Sequence, residues 1–289
     1  MRRLIINADD LGLTPGVNRA IFEANANGIV TSSTLMANSA AFTNAVDQIR
    51  SHATAALSIG CHLVLVDGVP VTQPERVSSL LKTSSSFRQG IGEFAWAAQR
   101  RKLDPAEIET EALAQFKKIL SAGIQPSHFD AHKHSHMFPH ILGPALRAAR
   151  SCGITRVRNP FEPENPLPVS YLRRNLSLVK RVLQVRALRI LRSKWLHLVK
   201  DAGFKTPDGS LGVITTGDLD ARLFRALLEN MPEGTWELVC HPGYNDSDLD
   251  KIRTRLRVSR LHELELLTSP ETKHLIESIG IELITYNEL

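Results

Sequence analysis

The sequence lacks the features that mark proteins of the membrane or of oxidising compartments. No run of about eighteen uncharged apolar residues occurs, so no spanning helix is predicted. The first residues pass from two arginines into a short apolar run with no small-residue cleavage site behind it, so we expect no secretion signal. The three cysteines, Cys61, Cys152 and Cys240, are widely spaced in apolar runs, as core residues of a reducing compartment are. These absences predict a cytoplasmic protein.

The chain also lacks internal repeats, low-complexity tracts and a glycine-rich phosphate-binding loop. It does have apolar material for a large core, since 43% of its 289 residues are hydrophobic. This length fits one α/β domain of barrel size, and residues 1–289 are predicted to form a single domain. The net charge of +5 only weakly indicates acidic partners, and the distribution of the charge is more informative.

Short apolar or β-branched runs alternate with helical patterns, which is typical of βα units around a parallel sheet. Strands are predicted at residues 3–8, 30–36, 56–64, 127–131, 155–158, 213–216, 236–240 and 282–285. Helices are predicted at residues 15–27, 42–52, 105–122, 139–151, 219–230 and 258–267. The number of strands favours a distorted (β/α) TIM-like barrel, in which reactive groups lie at the carboxyl ends of the strands. Polar clusters that directly follow an apolar strand are therefore the candidate sites.

Two segments interrupt this alternation. Residues 67–99 are rich in serine, proline and glycine and predict a long loop, which in a compact domain often forms a lid or a wall of the substrate site. Residues 160–208 predict a helical insertion within the barrel. Its proline-rich start at 160–168 is followed by a basic amphipathic stretch from Tyr171 to Lys200, which we call the basic segment.

The basic segment carries nine lysines and arginines and no acidic residue. Apolar residues recur in it at helical spacing: Leu172, Leu176, Val179, Leu183, Ala187 and Ile190. An apolar stripe flanked by positive charge suits the surface of an anionic membrane. Two alternatives stay open, a helix packed on the barrel with a solvated basic face and burial against a second subunit in a homodimer. Nucleic-acid binding is disfavoured because no stacking aromatics lie between the arginines.

Two adjacent carboxylates, Asp9 and Asp10, end the first predicted strand in the run Asn-Ala-Asp-Asp-Leu-Gly. Neighbouring side chains on a strand point to opposite faces, but where strand changes to loop both can turn into one mouth. A metal bound by one carboxylate would keep the other ionised, so that it can accept a proton from water. The alternative is that the pair caps the helix predicted to begin at Pro15.

Histidines accompany three other predicted strands. His62 emerges late in the strand at 56–64, where a lone histidine is more often a core residue than a ligand. Residues 128–140 contain five histidines in thirteen positions, which favours a metal centre or proton-transfer site over a polar surface turn. One aspartate with two histidines would leave coordination positions open for water and a substrate carbonyl, as a catalytic metal requires. His241 directly follows the strand at 236–240, where it could protonate a leaving amine or simply occupy a Pro-Gly loop.

Four motifs in this order resemble those of the YdjC/ChbG-like carbohydrate deacetylases. They are Asn-Ala-Asp-Asp-Leu-Gly at 7–12, Gly-Cys-His-Leu at 60–63, Phe-Asp-Ala-His-Lys-His-Ser-His-Met-Phe-Pro at 129–139 and His-Pro-Gly at 241–243. The likeness covers nearly the whole chain. It implies a distorted (β/α) barrel, one divalent metal ion and hydrolysis of an N-acetyl group from an N-acetylglucosamine unit.

The resemblance also implies roles for individual residues. The metal ligands that it implies are Asp10, His62 and His132. Asp9 would be the general base and His241 the general acid. His134 and His136 match the family's histidine-rich turn and would contact the substrate or support the ligands, while His140 receives no role. Two imidazoles favour Zn²⁺, although the carboxylate and the open water positions also admit Mg²⁺ or Mn²⁺.

The basic segment resembles that of the family members associated with hopanoid biosynthesis, the HpnK-like proteins. This likeness implies an amino sugar carried on a membrane lipid as substrate, and peripheral contact with the inner face of the membrane through residues 171–200. A soluble amino sugar is the alternative substrate.

Two other functions stay open from the residues alone. A metal-dependent phosphoesterase or sugar isomerase of barrel fold would use the same ligand types, although the missing phosphate loop counts against it. A non-catalytic membrane-surface adaptor would use the basic segment and keep the pocket only for structure. Replacement of His62 or His132 would abolish activity in an enzyme and leave an adaptor unaffected.

Overall fold

A parallel sheet of seven strands forms the centre of the part of the chain that the structure describes. The structure is a computed structural model, and it describes residues 1–52, 57–168, 171 and 176–289. The strands are β1 (Arg2–Leu11), β2 (Ser32–Leu35), β3 (Ser58–Leu63), β4 (Phe129–Ala131), β5 (Gly209–Leu211), β6 (Gly234–Cys240) and β7 (Ile281–Leu283). Their order is β4-β3-β2-β1-β6-β5, with β7 also paired to β1. All these pairs are parallel, so the carboxyl ends of the strands lie at the same edge.

Helices connect the strands and cover the sheet. They are α1 (Pro15–Ala26), α2 (Phe42–Ser51), α3 (Ile91–Gln99), α4 (Pro105–Ser121), α5 (Pro139–Ser151), α6 (Leu176–Leu188), α7 (Arg192–Asp201), α8 (Ala221–Glu229), α9 (Val258–Thr268) and α10 (Pro270–Ser278). Three of them begin with proline behind a side chain that caps a backbone N–H, namely Thr14, Asp104 or Ser269. The six predicted helices are confirmed within two residues at each end.

An irregular segment from Arg156 to Phe161 lies between the two edge strands, β4 and β5. With it the sheet curls into the distorted barrel that the sequence predicts. Residues 155–158 were predicted to be a strand, but they form only isolated bridges, between Val157 and Phe129 and between Arg156 and Lys205. The backbone N–H of Ser210 in β5 then bonds the carbonyl of Phe161. The segment thus spans the gap between β4 and β5, and it carries Arg158 into the interior.

The prediction of a strand at residues 213–216 is wrong. The strand β5 ends before it, at a turn in which Gly212 has φ +94°. The hydroxyls of Thr215 and Thr216 donate to the carbonyl of Gly212 at 3.2 and 3.1 Å. The β-branched residues that suggested a strand therefore stabilise this turn, because threonine can hydrogen-bond nearby backbone groups in non-strand conformations.

The long loop predicted at 67–99 is only partly a loop, since its last nine residues form α3. Phe94, Ala97 and Ala98 of this helix are buried. The glycines Gly90 and Gly92 obscured the start of the helix, because glycine lowers helix propensity. The helix α10 was likewise not predicted.

The basic segment is helical in its described residues, but it is not one helix. A short 3₁₀ turn, Arg189–Leu191, lies between α6 and α7, and residues 172–175 of the predicted stripe lie outside the described residues. The apolar side chains point in two directions. Leu178, Val182, Trp195 and Val199 are buried in the core, whereas Leu183 and Ile190 are 60% and 84% exposed.

Three arginines of the basic segment bind the polypeptide around it. Arg181 donates to the carbonyl of Ile214 at 3.1 Å and pairs with Asp218. Arg186 donates to Asn165 at 2.9 Å, and Arg189 donates to the carbonyl of Glu162. These bonds tie α6 and the 3₁₀ turn after it to the segments that follow Arg158 and β5, so part of the positive charge has a structural use.

No helix within the described residues is both long and apolar enough to cross a membrane.

Gly60 on β3 is a test of how closely the interior is packed. A Cβ at this position would lie 2.5 Å from Cε1 of the buried His128 ring, whereas a Cβ on the exposed helical Gly92 would have nothing within 4 Å. We expect Gly60→Ala to lower the free energy of unfolding by about 1–3 kcal/mol. The control Gly92→Ala should raise it by roughly 0.5–1 kcal/mol, because alanine has less freedom in the unfolded chain. Urea unfolding followed by circular dichroism measures both, and equal stabilities of the two variants would contradict the packing described.

Candidate metal and catalytic site

A bulge near the end of β1 turns Asp9 and Asp10 into the same pocket. The pairing with β2 shifts register between Ala8 and Leu11, and Asp10 has φ +69°. Such a bulge re-aims successive side chains that would otherwise alternate. Both carboxylates are buried, and Thr14, not either aspartate, caps α1. The alternative that the acidic pair is a helix cap is therefore wrong.

Three atoms of the kinds that bind metals converge, one each from Asp10, His62 and His132. Oδ1 of Asp10 lies 3.5 Å from Nε2 of His62 and 3.4 Å from Nδ1 of His132, and the two imidazole nitrogens are 3.2 Å apart. Ligand atoms about 2.0–2.1 Å from a tetrahedral zinc ion lie roughly 3.3–3.4 Å from one another. The buried Oδ1 has no hydrogen-bond partner. The three residues therefore fit one divalent ion both in spacing and in donor type.

Neighbouring side chains fix which atom each ligand presents. Asp130 accepts from Nδ1 of His62 at 2.8 Å, which leaves Nε2 facing the cluster. Arg260 donates to Oδ2 of Asp10 at 2.5 Å, which leaves Oδ1 free. Both contacts orient the ligands, and the contact with Asp130 also raises the basicity of His62. The side chain of His132 is 21% exposed, so the cluster opens toward solvent on this side.

The electrostatic field at the cluster favours a cation. Burial lowers the pKa of His62, but Asp130, Asp9 and Asp10 together raise that pKa to about 9. Burial would raise the pKa of Asp10, yet Arg260 and His132 hold it well below its usual value. Asp10 is therefore ionised over the working pH range, and positive charge next to it is stabilised.

Asp9 lies beside this cluster, and both of its carboxylate oxygens accept hydrogen bonds from Arg158. The guanidinium donates to Oδ2 and Oδ1 of Asp9 at 2.9 and 2.6 Å. Burial would raise the pKa of Asp9, but Arg158 holds it below its usual value, so the carboxylate stays ionised. Nε2 of His241 lies 3.9 Å from Oδ2 of Asp9, and its Nδ1 has no partner. Burial lowers the pKa of His241 to about 4, against the opposing effect of Asp9.

The other histidines of the rich segment lie at different depths. His134 is half-buried on a strained turn, where it and Lys133 have φ near +52°, and burial lowers its pKa to about 3. His136 lies in the core, with Nε2 3.1 Å from the carbonyl of Arg158. His140 bonds the carbonyl of Leu103. His132 alone of this group joins the three-atom cluster.

The sequence reasoning missed several charged residues around the site. These are Asp130, Arg158, Glu237, Arg260 and Glu263, all buried. Asp130 sits two residues before His132 in the same motif, and Arg158 ends a predicted strand, so the position of each was a usable signal. Arg260 and Glu263 lie inside α9, where charged residues are ordinary, and nothing in the sequence separated them from a solvated helix face.

Comparison with known proteins identifies relatives along the whole chain. The family model described as YdjC-like protein matches residues 3–278. The chain is 32% identical to a carbohydrate deacetylase of Brevibacillus brevis, over 99% of each chain. It is 33% identical to a chitooligosaccharide deacetylase of Yersinia enterocolitica, over 99% of this chain and 98% of the other. A crystal structure described as a putative cellobiose-phosphate cleavage protein of Enterococcus faecalis superimposes with a TM-score of 0.78 at 29% identity, covering 99% of this chain and 98% of that one.

The three-atom cluster generates a prediction about metal affinity. We expect His132→Ala to weaken binding of Zn²⁺ by at least roughly 100-fold, and Asp130→Asn to weaken it by about 10–100-fold through loss of ligand orientation. His140→Gln, which changes a histidine of the same run outside the cluster, should bind as the unaltered protein does. Calorimetric titration after chelator treatment measures all three, and tight one-to-one binding to the His132→Ala protein would contradict the ligand set.

Proposed function

Because the chain belongs to the YdjC-like protein family, we propose that it is a metal-dependent carbohydrate deacetylase that removes an N-acetyl group from an N-acetylglucosamine-containing substrate. The observation that carries the proposal is the buried, unpartnered Oδ1 of Asp10 between two imidazole nitrogens, with Asp9 and His241 next to it. The names of the deacetylases of similar length support the reaction class.

Asp10, His62 and His132 would hold the ion in this proposal. One carboxylate and two imidazoles are a donor set that suits Zn²⁺ and leaves open positions, and Mg²⁺ is the alternative. When bound, the ion polarises the acetyl carbonyl and makes water more acidic.

The chain's own residues would then move the protons. Asp9, ionised and held in one plane by Arg158, accepts a proton from the attacking water. The C–N bond breaks as acetate forms, and the sugar nitrogen must gain a proton. The lowered pKa of His241 favours its neutral form at neutral pH, so in this proposal it takes up a proton before it acts as the acid. We propose that Nε2 of His241, which lies 3.9 Å from Oδ2 of Asp9, closes to hydrogen-bond distance during the reaction, takes the proton from Asp9 and passes it to the departing nitrogen.

The proposed deacetylase could act on a soluble amino sugar or on one carried by a membrane lipid, and an acetate-release assay with both kinds of substrate distinguishes these two cases. We expect the metal-loaded protein to release acetate, with chelator abolishing the release and Asp9→Asn lowering kcat by roughly 10²–10⁴-fold, as for loss of a general base. The assay compares N,N′-diacetylchitobiose with an N-acetylglucosaminyl lipid in vesicles. Release from neither substrate would overturn the deacetylase proposal and return the phosphoesterase and adaptor functions to consideration.

The finer proposal is that the sugar is carried on a membrane lipid, as in hopanoid biosynthesis. Its support is the exposed pair Leu183 and Ile190 on the basic segment, with Lys180, Arg186 and Lys194 also exposed. Apolar side chains among lysines and arginines bind the interface of anionic membranes. Arg181 and Arg189 tie this surface to the polypeptide at the mouth of the barrel, which would bring a lipid-borne sugar near the pocket.

Membrane contact has its own test. We expect the protein to sediment with phosphatidylglycerol vesicles at low salt and not with phosphatidylcholine vesicles, since part of the attraction is electrostatic. The double change Leu183→Ser and Ile190→Ser should remove the binding. Val258→Ser is the matched control, because Val258 is 61% exposed on another helix. Unchanged binding of the double variant would exclude this surface, and release of acetate from the soluble sugar alone would exclude the lipid substrate.

A further inference from the structure

All five N–H groups of the Arg158 guanidinium have carboxylate partners. Two of these groups face Asp9, one faces Oδ2 of Asp130, and Nε and Nη2 donate to Oε1 of Glu237 at 2.9 and 2.7 Å. A guanidinium is a rigid planar fork, so partners along its edges fix its orientation completely. Asp9 holds one edge, and Glu237 holds the adjacent one.

Glu237 differs from the other two acids of this group. Asp130 contacts the proposed ligand His62, and Asp9 is the proposed base. Glu237 contacts Arg158 through one oxygen, and its second oxygen accepts from the hydroxyl of Tyr286 at 2.5 Å. Glu237 is completely buried and has no hydrogen bond to any of the three ligand residues among the described contacts. Its position suits a support for the guanidinium.

Tyr286, which follows β7, is fully buried and is itself held firmly. Its ring stacks on that of His128 with centroids 3.4 Å apart and planes inclined by 7°, and His128 in turn packs against Gly60. The turn Tyr286–Glu288 is closed by a capping box between Thr285 and Glu288. A buried tyrosine with a fixed ring and a single acceptor places that acceptor accurately.

We infer that Tyr286 and Glu237 are positioning residues, which hold the Arg158 guanidinium flat against Asp9 and so set the plane of the base. The inference rests on the proposed deacetylase function. Both residues are fully buried, and their side chains bond none of the three proposed ligands among the described contacts. The bonded column Tyr286–Glu237–Arg158–Asp9 runs through the interior, and each member fixes the next.

The ionisation of Glu237 is consistent with its proposed role in positioning Arg158. Burial raises its pKa to about 7, while Arg158 and Tyr286 oppose the rise and Asp130 adds to it. A neutral acid at this point can still accept from Arg158. The isosteric change Glu237→Gln keeps such an acceptor, whereas Glu237→Ala removes it.

The first test is a kinetic comparison with acetate release as the readout. We expect Tyr286→Phe and Glu237→Ala each to lower kcat by about 10-fold or more, because a small displacement of a reacting group is costly, with KM changed less than about twofold. Glu237→Gln should stay within about threefold of the unaltered kcat. Thr272→Val is the control, since it removes the hydroxyl of a buried side chain on α10 that bonds Ser269 and no member of the column.

The double variant decides whether Tyr286 acts through Glu237. Residues that act in series give non-additive losses. We therefore expect Tyr286→Phe to have no further effect on kcat in the Glu237→Ala background, with Zn²⁺ affinity unchanged in all variants. Multiplicative losses would overturn the inference. So would a Tyr286→Phe kcat equal to that of Thr272→Val, a comparison that stands even where Glu237→Ala does not fold.

A second readout keeps the inference separate from the proposed activity. In protein labelled with ¹⁵N-arginine, the Nε–H and Nη–H signals of Arg158, assigned by their loss in Arg158→Lys, should be sharp because the guanidinium cannot rotate. Tyr286→Phe should broaden or shift these signals, and Thr272→Val should not. If no substrate releases acetate, the deacetylase function fails while this result still decides whether the column holds Arg158. Unchanged Arg158 signals in Tyr286→Phe would overturn the positioning role.

Discussion

The interior of this barrel depends on the neutralisation of buried negative charge. Asp9, Asp10, Asp130, Glu237 and Glu263 are all almost inaccessible to solvent, and two guanidinium groups, those of Arg158 and Arg260, lie among them. A buried carboxylate without a partner would be strongly destabilising. The arginines therefore make the acidic pocket possible, and their geometry decides which oxygens remain free. The free atom that matters is Oδ1 of Asp10, which faces two imidazole nitrogens in the arrangement that a divalent cation would complete.

The local backbone serves the same arrangement. The bulge in β1 turns two successive aspartates to one side, and each then pairs with a different arginine. The irregular segment between β4 and β5 costs the barrel a regular strand, yet it delivers Arg158 to the centre. At the mouth, the positive φ values of Lys133 and His134 let His132 reach the cluster while His136 turns into the core. Strain of this kind is typical of functional sites, where the surrounding structure over-determines it.

The sequence predicted the barrel and most of its helices, because apolar periodicity and proline at helix starts are local signals. The positions at strand ends indicated the acidic pair and the histidines as candidates. The resemblance to the YdjC/ChbG-like deacetylases then implied Asp10, His62 and His132 as one ligand set, and the structure brings these three residues together. The sequence could not predict the residues that hold them, because Arg260 pairs with Asp10 across 250 positions of the chain and its helix looks like any amphipathic helix. The strand expected at 213–216 failed for a related reason: threonine favours strands and also closes turns, and only the neighbouring glycine distinguishes the two. In the basic segment, the periodicity of the apolar residues correctly indicated helix. It did not indicate which side chains pack on the barrel, since Leu183 and Ile190 of the predicted stripe are exposed.

The distances along the chain between paired groups have a consequence for folding kinetics. Asp9 and Arg158 are separated by 149 positions, Asp10 and Arg260 by 250, and His62 and His132 by 70. Contacts between such distant residues form late, because closing long loops costs entropy before the contact repays it. Burial of the acidic pair before its arginines arrive would be costly, so we expect β1 to dock together with the segments that carry Arg158 and Arg260. Docking of the central strand β1 and assembly of the pocket would thus be one cooperative event. Before this event the chain has a hydrophobic first strand that ends in two carboxylates without their arginine partners.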